Sequence, residues 1–194
     1  VQSIKTKSKI STFQNHIVEQ CKQNNRQAQM QLYNQYCHGM LAVANRYINN
    51  TMEAEDVVQD AFIKAFSKLE QYKAEVSFGA WLKRIVINRC IDVLKSKHQR
   101  MVELEDFHLN VITENSETNW EIEKGITVEN VNQEIEKLPE KYKYVVLLYL
   151  VEGYDHQEIS EILNITEVAS RTQLSRGKQK LKNALKLKRN EARY

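Results

Sequence analysis

Residues 153–178 read Gly153-Tyr154-Asp155-His156-Gln157-Glu158-Ile159-Ser160-Glu161-Ile162-Leu163-Asn164-Ile165-Thr166-Glu167-Val168-Ala169-Ser170-Arg171-Thr172-Gln173-Leu174-Ser175-Arg176-Gly177-Lys178. Asp155 with Glu158 three residues on is a capping pair: the first acid bonds free N–H groups at a helix start and the second bonds back. Ile159, Ile162 and Leu163 then share one face. Asn164-Ile165-Thr166 makes a short turn, with Thr166 placed to cap a second helix. That helix keeps Leu174, Leu181 and Leu185 on one side, with small Ser170 and Gly177 beside them. Arg171, Thr172, Ser175, Arg176, Lys178 and Lys182 lie on its outer side. A short helix, a three-residue turn and a longer basic helix form the layout of a helix-turn-helix, whose second helix enters a major groove. An ordinary helical corner with a solvated basic face fits the same pattern. His156, at the cap, reads as a solvated residue or a phosphate contact in preference to a metal ligand.

Just upstream, Leu138-Pro139-Glu140 stops one helix and starts another, proline being allowed in a first turn. Tyr144, Val145, Leu147, Leu148, Leu150 and Val151 make a very apolar helix that ends at Glu152-Gly153. The whole chain of 194 residues is 42% apolar, enough to bury real cores, yet has only five glycines and one proline. Sandwiches, barrels and Rossmann sheets need many tight turns, so this composition argues against them and for an all-α fold. No run of about 18 apolar residues is present, so no membrane span is expected. The Lys-rich start Val1–Lys9 lacks the apolar stretch of a signal peptide, and a soluble, cytoplasmic chain is expected. Cys21, Cys37 and Cys90 are an odd count without a CxxC, against a disulfide framework or a zinc knuckle.

The net charge of +3 is unevenly spread. Residues 1–100 balance at +7, residues 101–138 at −8 and residues 139–194 at +4. Two basic bodies joined by an acidic connector suggest anionic partners at both ends, although two solvated domains and a soluble linker have the same composition. The connector shows no strong period; Leu104, Phe107, Leu109, Val111 and Ile112 could pack on a partner.

In the first body, Phe13, Ile17 and Cys21 are spaced for a helix, and Leu32, Tyr36, Met40, Val43, Ala44 and Tyr47 for another. After the break Asn49–Asn50, Thr51 can cap a third, whose apolar stripe is Val58, Ala61, Phe62, Ala65, Phe66 and Leu69. Its opposite face carries Glu55, Asp56, Gln59, Asp60 and Lys64, with Asp56 and Asp60 one turn apart. Paired carboxylates can hold a metal or a proton, but no third ligand stands at a matching spacing; a solvated helix face is the plainer reading. In a fourth helix Phe78, Trp81, Leu82, Ile85, Val86, Cys90, Val93 and Leu94 form a stripe. Lys83, Arg84, Asn88, Arg89, Asp92, Lys95, Lys97 and Arg100 cover the rest. Cations neutralise phosphates, an Asn can read a base edge, and aromatics such as Tyr72, Phe78 and Trp81 can stack on an unpaired base. Trp81 at this spacing is more often core than a stacking platform.

Taken together, Asp56-Val-Val-Gln59-Asp60-Ala-Phe62-Ile-Lys64-Ala-Phe66, then Phe78-Gly-Ala-Trp81-Leu-Lys-Arg84-Ile-Val-Ile-Asn88-Arg-Cys-Ile-Asp92, then Leu138-Pro139 with Glu152-Gly153-Tyr-Asp-His-Gln-Glu158-Ile159, resemble a bacterial sigma factor of the extracytoplasmic-function type, in the sigma-70 family. Each motif is loose singly; the ordered set is specific. The resemblance implies two small helical domains, sigma-2-like over residues 11–100 and a sigma-4-like helix-turn-helix over 131–190, joined by an acidic linker over 101–130. It implies a non-enzymatic subunit with no catalytic residue, metal or cofactor, which binds core RNA polymerase and directs promoter recognition, DNA melting and initiation.

Carried over by position, Asp56, Gln59, Asp60 and Lys64 match the helix that docks on the β′ clamp helices. Residues 72–78 match the loop that captures a flipped −10 base. Tyr72, Phe78, Trp81, Arg84, Asn88, Arg89, Asp92 and Lys95 become the expected −10 DNA set, Arg84, Arg89 and Lys95 on phosphates. His156, Glu167, Arg171, Thr172, Ser175, Arg176 and Lys178 become the −35 set, and the apolar surface of sigma-4 a β-flap contact. The connector matches the linker that threads a polymerase channel. An anti-sigma factor is a further implied partner. The family commonly starts its recognition helix with Gly-Thr-Val or Gly-Thr-Ser, where this chain has Val168-Ala169-Ser170, and Gly177 replaces a usual Ala at roughly 1 kcal/mol of helix propensity. These departures suggest a DNA-bound factor that recruits the chain. A stand-alone helix-turn-helix regulator would explain residues 139–187 but leave the acidic ridge and the Trp81 helix as coincidences. A helical enzyme acting on nucleic acid would need catalytic groups that Asp56/Asp60, His156 and Cys37-His38 do not supply.

Overall fold

The computed structural model describes residues 16–102 and 127–191, and every regular element among them is helical. The chain divides into two compact units between residues 106 and 107. Phe13, the apolar residues of the connector from Leu104 to Ile112, and the Lys-rich start lie outside the described residues.

In the first unit, α1 (helical over residues 16–22) buries Ile17, Val18 and Cys21. Asn25 caps α2 (Arg26–Ala44), its side chain accepting from the N–H groups of Gln27 and Ala28. The cap of α3 (Thr51–Ser67) is Asn50, which accepts from the Glu53 N–H at 3.1 Å; Thr51 is the first helical residue. An Asn carboxamide reaches an N–H of the first turn as well as a hydroxyl does, so either neighbour could have served. The α3 stripe buries Val58, Ala61, Phe62 and Ala65 as expected, and Ala54 and Val57 besides, with Phe66 half-buried. A single turn of 3₁₀ helix, Leu69–Gln71, leads out of α3.

The fourth helix, α4 (Phe78–Val102), packs against both α2 and α3. Contact on two sides widens and shifts its buried arc. Phe78, Leu82, Val86 and Cys90 are buried as their spacing predicts, but so are Ile87 and Ile91, while Ile85, Val93 and Leu94 are only half-buried. Each large apolar side chain removed from water contributes roughly 1.5–3 kcal/mol, an upper estimate because an unfolded chain already buries some of this surface.

The second unit starts with α5 (Val128–Glu136), capped by a reciprocal Thr127–Asn130 box. Pro139 precedes α6 (Glu140–Val146), and its carbonyl accepts the first backbone bonds, from Tyr142 and Lys143. The apolar run does not continue as one α-helix. Leu147–Val151 forms a wider π-helical turn, closed by the Glu152 N–H on the Leu147 carbonyl and the Tyr154 N–H on the Leu148 carbonyl. Gly153, at φ +80, takes the left-handed conformation that this reversal needs. Then come α7 (His156–Leu163) and α8 (Glu167–Glu191). The Asp155–Glu158 box is present, Asn164 ends α7 in the left-handed region at φ 56, and the Thr166 hydroxyl accepts from the Ala169 N–H at 3.1 Å.

Candidate protein and nucleic-acid interfaces

The α3 ridge is outward. Glu55, Asp56, Gln59, Asp60 and Lys64 are all exposed, because the apolar stripe of that helix is committed to α2 and α4. Tyr33, Cys37, His38 and Leu41 of α2 line a groove beside it with Glu55 and Gln59. Carboxylates and an amide beside a partly aromatic groove suit a basic, polar protein surface, with charge steering the approach.

One ridge residue is already engaged. Arg89 of α4 donates Nη2 to Asp60 Oδ2 at 2.7 Å and Nε to the same oxygen at 3.2 Å. Lys97 of α4 reaches Glu53 of α3 at 2.6 Å. Asp60 and Arg89, expected to serve different partners, therefore meet each other across the helix pair.

The expected −10 set separates into a core and a face. Tyr72 and Phe78 are buried, and Trp81 is half-buried against both, with ring centroids 5.3 Å and 5.8 Å away. Tyr36 of α2 closes the cluster on Phe78 at 5.4 Å. These aromatics hold the start of α4, and of the three expected −10 aromatics only Trp81 keeps ring surface open to solvent. The Tyr72 hydroxyl donates to the Val76 carbonyl at 2.7 Å, tying the 72–78 loop across its base. The face of α4 is different: Arg84, Asp92 and Lys95 are exposed and Asn88 half-buried, at i, i+4, i+8 and i+11 along one side. Cations flanking an Asn on one helix side can grip phosphates and reach a base edge.

In the second unit, α7 and α8 are braced by a contact that spacing does not reveal. His156 Nδ1 is hydrogen-bonded to Ser170 Oγ at 2.9 Å, Ser170 is fully buried, and the imidazole stacks on Tyr149 from the π turn at 4.9 Å. Burial first, then the Arg171 charge, holds the His156 pKa below its ordinary 6.5; Lys178 adds to the lowering, and Glu167 and Asp155 oppose it. His156 is thus half-buried and partnered, not the solvated residue its cap position suggests. Lys178 Nζ lies over the Tyr149 ring, 5.2 Å from its centre.

Along α8, Arg171 is exposed and donates to Glu167 at 2.9 Å. Thr172, Ser175 and Arg176 are half-buried, and Val168 is 61% exposed. Gly177 is not a simple defect in the helix. A Cβ there would stand 2.6 Å from Val146 Cγ2 and 3.3 Å from Tyr142 Cβ, so the missing side chain is what lets α8 approach α6.

Other chemistry is sparse. Burial pushes the Cys21 and Cys90 thiols up to about 11 and about 12, which removes them as nucleophiles at neutral pH. Among the described residues, no group of three or more His, Cys, Asp or Glu is placed to hold a metal ion, and no helix is long and apolar enough to cross a membrane.

Comparison with known proteins places these elements. Residues 32–100 match the family model for sigma-70 region 2, and residues 128–181 that for sigma-70 region 4. The chain is similar to the ECF RNA polymerase sigma factor SigW of Bacillus subtilis, at 28% identity over 183 residues, covering 87% of this chain and 95% of that one. Its fold is similar to that of CnrH solved in complex with the cytosolic domain of CnrY, with a TM-score of 0.52 at 21% identity over 90% of this chain and 97% of that one. It is also similar to RpoE of Bartonella quintana solved with the anti-sigma factor NepR, with a TM-score of 0.52 at 16% identity over 81% of this chain and 96% of that one. Both regions are matched in order, one in each helical unit, and the chain belongs to the extracytoplasmic-function group of the sigma-70 family.

Proposed function

We propose that the chain is an alternative sigma factor, a non-enzymatic subunit that binds core RNA polymerase and directs it to promoters in the cytoplasm. The observation that carries this reading is the first unit's two-sided surface. An acidic, amide-bearing ridge (Asp56, Gln59, Asp60, with Lys64) stands on α3, and a strip of Arg84, Asn88, Asp92 and Lys95 stands on α4. The ridge suits the β′ clamp helices and the strip suits −10 DNA. Separation of the strands costs stacking energy that a protein site for an extruded base partly offsets. In this reading the 72–78 loop and Trp81 border that site, while Tyr72 and Phe78 support it from the core.

The second unit supplies the −35 contact through Glu167, Arg171, Thr172, Ser175, Arg176 and Lys178 of α8, with its apolar surface toward the β-flap. His156 acts there by holding α8, not by touching DNA. Recruitment by another DNA-bound factor rests on the departure Val168-Ala169-Ser170 at the start of α8; Gly177, which has a packing role, does not argue for it. An anti-sigma factor is a natural further partner, because both structural neighbours were solved with a bound protein.

A gel shift with fragments of the source genome, with and without core polymerase, tests the reading. Sequence-selective binding that requires core is expected. Selective binding by the chain alone would favour the stand-alone regulator instead.

A further inference from the structure

The first turn of α8 carries an exposed apolar side chain. Val168 is the second residue of α8 and 61% of its surface is open to solvent. An isopropyl group there adds nothing to the core: the buried side of α8 is Ser170, Leu174, Gly177, Leu181 and Leu185. One turn on, Thr172 donates its hydroxyl proton to the Val168 carbonyl at 2.9 Å, so what it retains for a partner is its methyl group and an acceptor lone pair. The charged neighbours are engaged with each other, Arg171 donating to Glu167 at 2.9 Å. Val168 and Thr172, at i and i+4, thus put two branched side chains on one side of the helix end.

In a helix-turn-helix it is the N-terminal residues of the second helix that meet base edges. In the major groove the one apolar group that a base offers is the C5-methyl of thymine. We infer that Val168, with Thr172 beside it, is a specificity-determining residue that reads a thymine methyl in the −35 element. The inference rests on the proposed function, since it needs α8 to enter that groove. It gives Val168 a role other than a lost DNA contact: the chain reads −35 DNA itself, with an apolar preference in place of a polar one.

The experiment replaces each −35 thymine by deoxyuridine, which lacks only that methyl. Promoter DNA is first selected by the holoenzyme from a library randomised at −35, and affinity is then measured for wild-type and Val168→Ala holoenzyme. Wild type is expected to lose about fourfold at one thymine, the size of one buried methyl, with no loss at that position in Val168→Ala. Val168→Ala is an exposed change to a better helix former, and Val168→Thr, which keeps the branched shape, should retain the response. If no thymine responds, or if the loss is the same in Val168→Ala, the inference is overturned while the −35 reading stands. If the library yields no −35 preference, the proposed −35 role of α8 fails, and the inference with it.

Discussion

Gly39 in α2 and Gly177 in α8 are both mid-helix glycines, and they mark two regions held together differently. Around Gly39 a side chain would meet nothing within 4 Å, whereas at Gly177 it would strike Val146. The first unit presents α2 and α3 openly, with ion pairs Asp60–Arg89 and Glu53–Lys97 between the outer sides of α3 and α4. The second unit is closed around α8: α6 against Gly177, and α7 through His156 and Ser170. The contrast follows the proposed tasks. A ridge that docks on a large partner must keep its polar groups near the surface, where exchanging one ion pair for another costs little. A recognition helix must be aimed, and aim comes from close packing and buried hydrogen bonds.

The largest effect is expected from filling the α6–α8 contact. Gly177→Leu should cost the second unit about 3 kcal/mol, the upper range of overpacking. Hydrogen exchange of α8 peptides should then speed up while α4 peptides stay protected. Equal loss in both units would contradict the separation.

Next comes His156→Ala, which removes one hydrogen bond and one ring contact and should cost about 1–2 kcal/mol. Its pH dependence has a defined sign. The folded His156 pKa lies below 6.5, so under about pH 6.5 the unfolded chain binds the proton more readily and wild-type stability falls with pH. The wild-type advantage over His156→Ala should be full above that value and shrink toward pH 5. An advantage that grows on acidification would show that the protonated imidazole is the stabilising form.

Smaller still, and opposite in sign, are two alanine substitutions. Gly39→Ala should stabilise the first unit by up to about 1 kcal/mol through helix propensity. Gly177→Ala should destabilise the second by about 1 kcal/mol, since overpacking outweighs the same gain. Chemical denaturation followed by unit-specific exchange reads both; two stabilising results would mean that Val146 simply moves aside. The least effect belongs to Asp60 and Arg89, whose side chains are 51% and 38% exposed. A double-mutant cycle with Asp60→Asn and Arg89→Gln should give at most about 1 kcal/mol of coupling, and a larger value would make the pair a structural clamp.

Much of this was legible in the sequence, and the misses have physical causes. Periodicity gave the helices, the outward ridge Asp56–Gln59–Asp60 and the buried side of α8, because most of the side chains these helices bury recur at helical spacing along one stripe. It underestimated α4, where Ile87 and Ile91 are buried because α4 has neighbours on two sides. The π turn at Leu147–Val151 kept the same apolar composition as a helix and so left no sign, although Gly153 marked where the chain reverses. His156–Ser170 joins residues 14 apart on different helices, and Asp60–Arg89 residues 29 apart; neither follows from local spacing. Gly177 read as a propensity loss because the cause of a glycine, here Val146 on another helix, lies outside its own segment.

The central claim is that the α3 ridge is where core polymerase docks and that initiation depends on it. Run-off transcription with core polymerase tests this most directly, comparing the wild-type chain with Asp56→Ala and Gln59→Ala, two exposed changes checked for unchanged hydrogen exchange. The account predicts specific initiation by the wild type and its loss in both variants. Variants that initiate as well as the wild type would contradict it.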